Sequence, residues 1–576
     1  MRCRLALAAL AALLIAPAAL AAQTRTHAPA RAHDAGVTLI YGTLLGADGA
    51  PMKLAHVHLW RGLASRVASR SIVGPDGHYA IATQYTGPLG IQFSGVDHNS
   101  TTVRLVVDRP QTIALDVRLS TYEYADSLGS VTAIGDWNHF DFGSAKPLVK
   151  QADGRYTLDV EATADTLAYE LMGVTKGEGH SINGTQAGRY EYDNGGDYRT
   201  IIPAKDGHAT IVFDPAALNR TPGKESVTFR DGTTMVARAW RLMHAWSVEE
   251  AAYFDSSAAA RKRHDSLHYD LKPAVARLRA ALRVERAPLV RQMLLFALMD
   301  ATSFAGTGDT AVARDLIARV PPSSPWYDAL PNALNSTYSA YRLVYGHPAA
   351  KGAPPDTSFQ RHLMERNDRI LAAQADSDLQ VEILGTQVFL ARALHDDARM
   401  NDYYTRLVTN YPNSGEVAFL KSQLAPNRVF QVGAQVPDFQ FPGVDDSTIT
   451  YSRASMAGKI YLLDFWATWC GPCVGEMQYL QAAHDSLAAQ GIEFLSISLD
   501  QKADDVRHFR QGEWKMPWLH AFAAGGFENP QIRKLEVFGI PHTALIGKDG
   551  RILAVDVRGE SLVEDIRHAL QAPPAP

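Results

Sequence analysis

Cysteine is almost missing from this chain. Of 576 residues only 3 are cysteine, and after residue 3 only Cys470 and Cys473 remain. A fold stapled by several disulfides is therefore excluded. Beyond the N-terminal segment no stretch is long and apolar enough to span a bilayer. Neither charge sign dominates. With Lys+Arg at 56 and Asp+Glu at 61, the formal net charge is −5, which removes the general electrostatic reason to expect nucleic acid or an anionic membrane as partner. No second Cys-x-x-Cys and no close histidine pair accompanies the two thiols, so they supply half of a structural zinc site; His484, His508 and His520 are the candidates to complete one.

What is present is ordinary globular material, 46% hydrophobic and 20% charged, in a length that suggests about three to five domains. The N-terminus reads as a cleaved signal peptide over residues 1–21. Arg2 and Arg4 precede an Ala/Leu-rich run, and Ala19-Leu20-Ala21 fits a cleavage site. A periplasmic or otherwise extracytoplasmic location follows as an expectation. Residues 22–36 are small and polar, and read as a linker.

From Val37 short strands alternate with turn signals. Gly46-Ala47-Asp48-Gly49 and Gly74-Pro75-Asp76-Gly77 are turns, and His56-Val57-His58-Leu59-Trp60 and Tyr79-Ala80-Ile81 are strand-like. Residues 37–119 are expected to form a small antiparallel sandwich. Gly42-Thr43-Leu44, Asp48-Gly49 and Asp76-Gly77-His78-Tyr79 resemble the transthyretin-like modules. A second β segment, 120–220, carries Ile134-Gly135-Asp136-Trp137-Asn138-His139-Phe140, Asp153-Gly154-Arg155-Tyr156 and Tyr169-Glu170-Leu171. This order resembles the immunoglobulin-like starch- and glycogen-binding modules, whose aromatics stack on sugar rings. Phe140 stands where a second Trp is usual, and Glu170 where a basic residue is common. Those departures speak against glycan binding and favour a spacer with Trp137 in its core.

Residues 246–426 turn to a helical period, with Val275, Leu278 and Leu282 on one face and Leu289, Met293 and Phe296 on another. Further helices are expected at 311–320, 333–344, 358–373, 379–394 and 400–411, punctuated by Pro321-Pro322, Pro354-Pro355 and Pro412. The last pair resembles a tetratricopeptide-type unit. A docking surface for a partner peptide and a plain connector both fit.

Residues 433–572 change again. A buried strand at 460–465 runs into Trp469-Cys470-Gly471-Pro472-Cys473, and Val474, Met477, Leu480, His484 and Leu487 then fall near one helical face. A strand at 493–499, a helix at 504–511, a hairpin about Lys548-Asp549-Gly550 and a capping box at Ser561-Leu562-Val563-Glu564 complete a mixed sheet with helices on both faces.

Two thiols at that spacing, on a strand-to-helix junction, point to a redox-active dithiol. A bridge between them closes too small a loop to stabilise a fold. Cys470 is expected to stand exposed at the helix opening, where free N–H groups and the helix dipole favour a thiolate. Cys473, one turn further in, is expected to resolve the mixed disulfide. Pro472 lacks an N–H that would have no helical partner there. Asp464 is a carboxylate inside an apolar run, and burial should raise its pKa and suit it to proton exchange with Cys473. Glu476, three residues after Cys473, is a further candidate for influencing thiol ionisation.

Val436-Pro437-Asp438-Phe439, the run from Asp464 to Cys473 and Gly539-Ile540-Pro541 together resemble the thioredoxin superfamily, specifically the extracytoplasmic TlpA/ResA-like thiol–disulfide oxidoreductases. The likeness covers about a quarter of the chain. It implies an α/β thioredoxin fold for 433–572, which follows the N-terminal all-β sandwiches and the central all-α region read from the strand and helix patterns above. It implies no cofactor beyond the Cys470–Cys473 couple, a cis-proline at Pro541 facing the sulfurs, and Glu476 as an active-site glutamate. His542 stands where many members carry Thr. The expected activity is reduction of disulfide-containing protein substrates, with a membrane-bound electron donor recharging the dithiol. The alternative is a redox-sensing or partner-binding scaffold whose dithiol does not turn over.

Overall fold

The structure is a computed structural model describing residues 36–61, 66–176, 181–263, 267, 269–346, 356–394, 396–424, 429–512 and 514–571. The expected signal peptide and most of the expected linker lie outside the described residues. The chain forms two compact units. One holds the residues up to Ser247 with Ala281–Leu294; the other holds Val248–Ala280 and the residues from Leu295 onward.

The first unit contains two β cores. In one, Thr38–Leu45 lies between His78–Thr83 and Thr112–Arg118, and Ala55–Arg61 lies between Arg66–Ile72 and Gly87–Gly95. Side chains of Thr38–Leu45 alternate between buried and half-buried, the period-two pattern of a strand with one face on a core. Ile40, Leu44, Val57, Phe93 and Leu115 fill that core. Two features depart from expectation. Thr38–Leu45 pairs in parallel with Thr112–Arg118, because the intervening strands carry the chain across before it returns. Ser226–Phe229 comes back to the far edge of Thr112–Arg118, well outside 37–119.

The second β core gathers Tyr169, Leu171, Ile211 and Phe213. Trp137 packs against it half-buried, not within it. Phe140 and Glu170 are both occupied internally. The Arg199 guanidinium lies 3.6 Å from the Phe140 ring centroid, and its Nε donates to buried Glu170 at 3.2 Å. Ser181 donates to the other Glu170 oxygen at 2.7 Å.

The first helix runs Met235–Arg263, starting well before the expected 246. Thr234 Oγ1 accepts from the Ala237 amide at 3.2 Å and caps it. Its opening turn is anchored by Val236, part of the first β core, so little helical periodicity shows in the sequence. The later helices Thr310–Arg319, Ala333–Tyr345, Ser358–Ala373, Ser377–Ala393 and Asp397–Asn410 fall within a few residues of expectation. Gly415–Leu424 follows.

The C-terminal sheet has the order Leu519–Phe522, Ile492–Ser498, Ile460–Trp466, His542–Ile546, Ile552–Val555. The first three strands are parallel and the last two antiparallel to their neighbours. Ile460–Trp466 is the central strand and is buried along nearly its whole length, which explains its unbroken apolar run. The final helix is Leu562–Gln571, and at its start the Ser561 hydroxyl donates to Asp565 at 2.8 Å.

Candidate functional site

Strand Ile460–Trp466 ends where helix Gly471–Leu487 begins, and Cys470 is the residue that caps this helix. Its Sγ accepts from the Cys473 amide at 3.1 Å, so a free N–H of the helix start points at that sulfur. Cys470 and Cys473 are joined in a disulfide. Cys470 is 5% exposed and Cys473 1%. The order of exposure is the expected one, but Cys470 is not open to solvent in this oxidised state. The loop carrying Pro541 lies over it, with Cys470 Sγ 3.8 Å from the Ile540 carbonyl oxygen. The Ile540–Pro541 peptide is cis.

Asp464 sits on the same strand and is buried. Ser496, its partner in register on Ile492–Ser498, donates to Asp464 Oδ2 at 2.9 Å and in turn accepts from the Trp518 indole N–H at 2.9 Å. Burial pushes the Asp464 carboxyl up to about 7, the Ser496 hydrogen bond opposes this, and the Glu476 charge adds to it. Glu476 is half-buried on helix Gly471–Leu487, and its Oε2 accepts from the Gly559 amide at 2.7 Å.

The turn that supplies Gly559 is a clasp. Asp556 Oδ1 accepts from His542 Nδ1 at 2.9 Å, Arg558 donates to the Pro541 carbonyl at 3.4 Å, and Gly559 has φ +73°, a left-handed conformation suited to glycine. His542 is thus a strand residue paired to Asp556, with its ring edge-on to Phe430. Burial acts to raise the Asp556 carboxyl, but the hydrogen bond and charge of His542 hold it below its ordinary value.

Sequence reasoning missed Asp500. It follows strand Ile492–Ser498 and is buried. Its carboxylate accepts from the Thr468 amide at 3.1 Å, the Thr468 hydroxyl at 2.6 Å and the Ser498 hydroxyl at 2.7 Å. It fixes the loop two residues ahead of Cys470. The signal was an acidic residue closing an apolar strand, which also describes many strand ends. Among the described residues no group of three His, Cys, Asp or Glu side chains gathers as for a metal ion.

The AhpC/TSA family matches residues 432–555. A thiol-disulfide oxidoreductase ResA of Oceanobacillus iheyensis is 38% identical over 140 residues, covering 23% of this chain and 69% of that protein. This chain belongs to the ResA-like thiol–disulfide oxidoreductases. The ResA of Bacillus cereus is 28% identical over 161 residues, 27% of this chain and 88% of that protein. Among solved structures, the thioredoxin domain of a thiol-disulfide oxidoreductase from Bacteroides vulgatus is 22% identical, covers 24% of this chain and 96% of its own, and gives a TM-score of 0.22. Membership rests on the C-terminal quarter. The family's chemistry is thiol–disulfide exchange, and it uses no cofactor because the cysteine pair itself carries the electrons.

Proposed function

We propose that the protein is an extracytoplasmic protein-disulfide reductase. The observation that carries this reading is the Cys470 sulfur at a helix start, accepting the Cys473 amide beside the Pro541 loop. That setting favours a thiolate once the bridge is reduced. The Cys470 thiolate attacks a substrate disulfide, one substrate sulfur leaves as a thiolate and takes a proton, and a mixed disulfide forms. Asp464 accepts the Cys473 proton. Cys473 then attacks Cys470, the second substrate sulfur leaves, and the internal disulfide is restored. Two electrons pass to the substrate. A dithiol donor, read as membrane-bound, returns them. The leader-like residues 1–21 support an extracytoplasmic setting, and among the described residues no helix is long and apolar enough to cross a membrane.

The test is trapping. Cys473→Ser is expected to accumulate substrates on Cys470 as mixed disulfides that reducing agent releases. Capture that persists in the Cys470→Ser, Cys473→Ser double variant overturns the assignment of roles.

A further inference from the structure

The helical region reaches the redox site. Phe419, on helix Gly415–Leu424, stands so close to Gly539 that a Cβ at that glycine would come within 2.7 Å of its ring. Gly539 precedes Ile540, whose carbonyl lies 3.8 Å from Cys470 Sγ. The missing side chain at position 539 is therefore a fit to an aromatic ring from upstream of the thioredoxin-like domain. Phe419 continues into Phe389 of helix Ser377–Ala393, ring centroids 5.9 Å apart. Phe389 is 37% exposed, Phe538 beside Gly539 is 42% exposed, and Trp469 beside Cys470 is 52% exposed. Phe389 and Phe419 form a contiguous apolar pair, and it is contiguity that marks a surface another molecule covers.

The same two helices carry acid. Glu382 lies about two helical turns before Phe389, and Glu416 one turn before Phe419. Glu416 packs over Gly385, where a side chain would collide with its carboxylate. Neither Glu382 nor Glu416 has an ion-pair partner among the described residues. Loss of surrounding water raises both carboxyls above their ordinary range, and the Glu416 charge adds to the rise at Glu382. A cation brought beside the two carboxylates favours their ionised forms.

We propose that the Phe389–Phe419 pair and the Glu382–Glu416 pair form a substrate-selecting wall beside the dithiol. It takes an extended protein segment whose disulfide cysteine is flanked by an apolar residue and a Lys or Arg. The occupant is fixed by the chemistry: whatever disulfide reaches Cys470 brings its flanking chain along the Gly539–Pro541 loop and onto this face. The aromatic rings cover the apolar side chain and the two carboxylates receive the cation.

This inference rests on the reductase reading, and the experiment separates the two. Peptides holding one cysteine as a mixed disulfide with thionitrobenzoate are offered to the reduced full-length protein. One series has Leu and Lys beside the cysteine and the other Ser and Glu. The free aromatic disulfide (Ellman's reagent) serves as a substrate that needs no wall. The wild type is expected to favour the Leu/Lys peptide by about tenfold in kcat/KM, a difference of the size one apolar and one polar contact provide. The surface variants Phe389→Ala and Glu382→Gln, combined, are expected to reduce the preference to about twofold, with the rate on the free reagent unchanged. Equal rates for the two peptides in the wild type, or a preference that survives both substitutions, overturns the wall and leaves the reductase reading standing. No turnover of the free reagent takes both down.

Discussion

Ser496 donates its hydroxyl to the Asp464 carboxylate at 2.9 Å across two parallel strands on which the two residues stand in register. The pair shows how this site is built. A polar group is placed inside a sheet where water cannot reach it, and a hydroxyl from the next strand donates to it. Such a carboxyl keeps its proton further up the pH scale than an exposed one.

The consequence is a pH dependence with a definite sign. Asp464 is raised from 3.8 to about 7 on folding. Between those values the folded protein binds a proton that the unfolded chain has released. Its contribution to stability is complete below about pH 4 and declines as pH rises through about 7, by an amount on the order of a few kcal/mol. Asp464→Asn, measured by urea unfolding of the oxidised protein, is expected to show a flatter dependence across that window and a stability above wild type at about pH 8. An equally steep decline in the variant would place the titrating group elsewhere.

Glu476 raises Asp464 through its charge and holds the Gly559 amide. Glu476→Gln keeps an oxygen for that amide and removes the charge. The Asp464 titration, followed by the carboxyl signal in NMR, is expected to move down while staying above the ordinary carboxylate range, because burial is the larger cause. An upward move contradicts the electrostatic coupling.

Asp500 ties the Thr468 loop through its amide and hydroxyl. Asp500→Asn is expected to cost about 1–3 kcal/mol in urea unfolding. Alkylation of Cys470 in the reduced form is also expected to change rate, since the loop that presents it is freed. A variant with unaltered stability and unaltered alkylation shows that the loop stands without Asp500.

In the second β core, Arg199→Ala removes a cation paired with Glu170, which is buried. The expected cost is about 3–5 kcal/mol. It is expected to be larger at alkaline than at mildly acidic pH, because burial already raises the Glu170 carboxyl and protonation relieves it. Unfolding of the full chain at two pH values reads this directly.

Much of the C-terminal site was legible before any coordinates. Cys470, Cys473, Asp464 and Pro541 announce themselves through spacing, through a carboxylate inside an apolar run and through likeness to a family. The mixed character of the sheet followed from its run of segments, but its strand order and the edge strand Leu519–Phe522 did not. Asp500 was not legible, because one acid at a strand end is common and its meaning lies in which loop it holds. The parallel pairing of Thr38–Leu45 with Thr112–Arg118 was equally hidden, since alternation of side chains is the same in either direction.

Sequence alone determined the chemistry: two thiols, a helix start and a carboxylate within a strand are local features, set by neighbours a few residues away. Tertiary structure decided everything that depends on distant segments meeting. It brought Gly559 to Glu476, Asp556 to His542, Arg199 between Phe140 and Glu170, and Phe419 against Gly539. Local periodicity encodes which face of an element is apolar, but not which other element covers it, because that choice is made by shape and burial across the whole core.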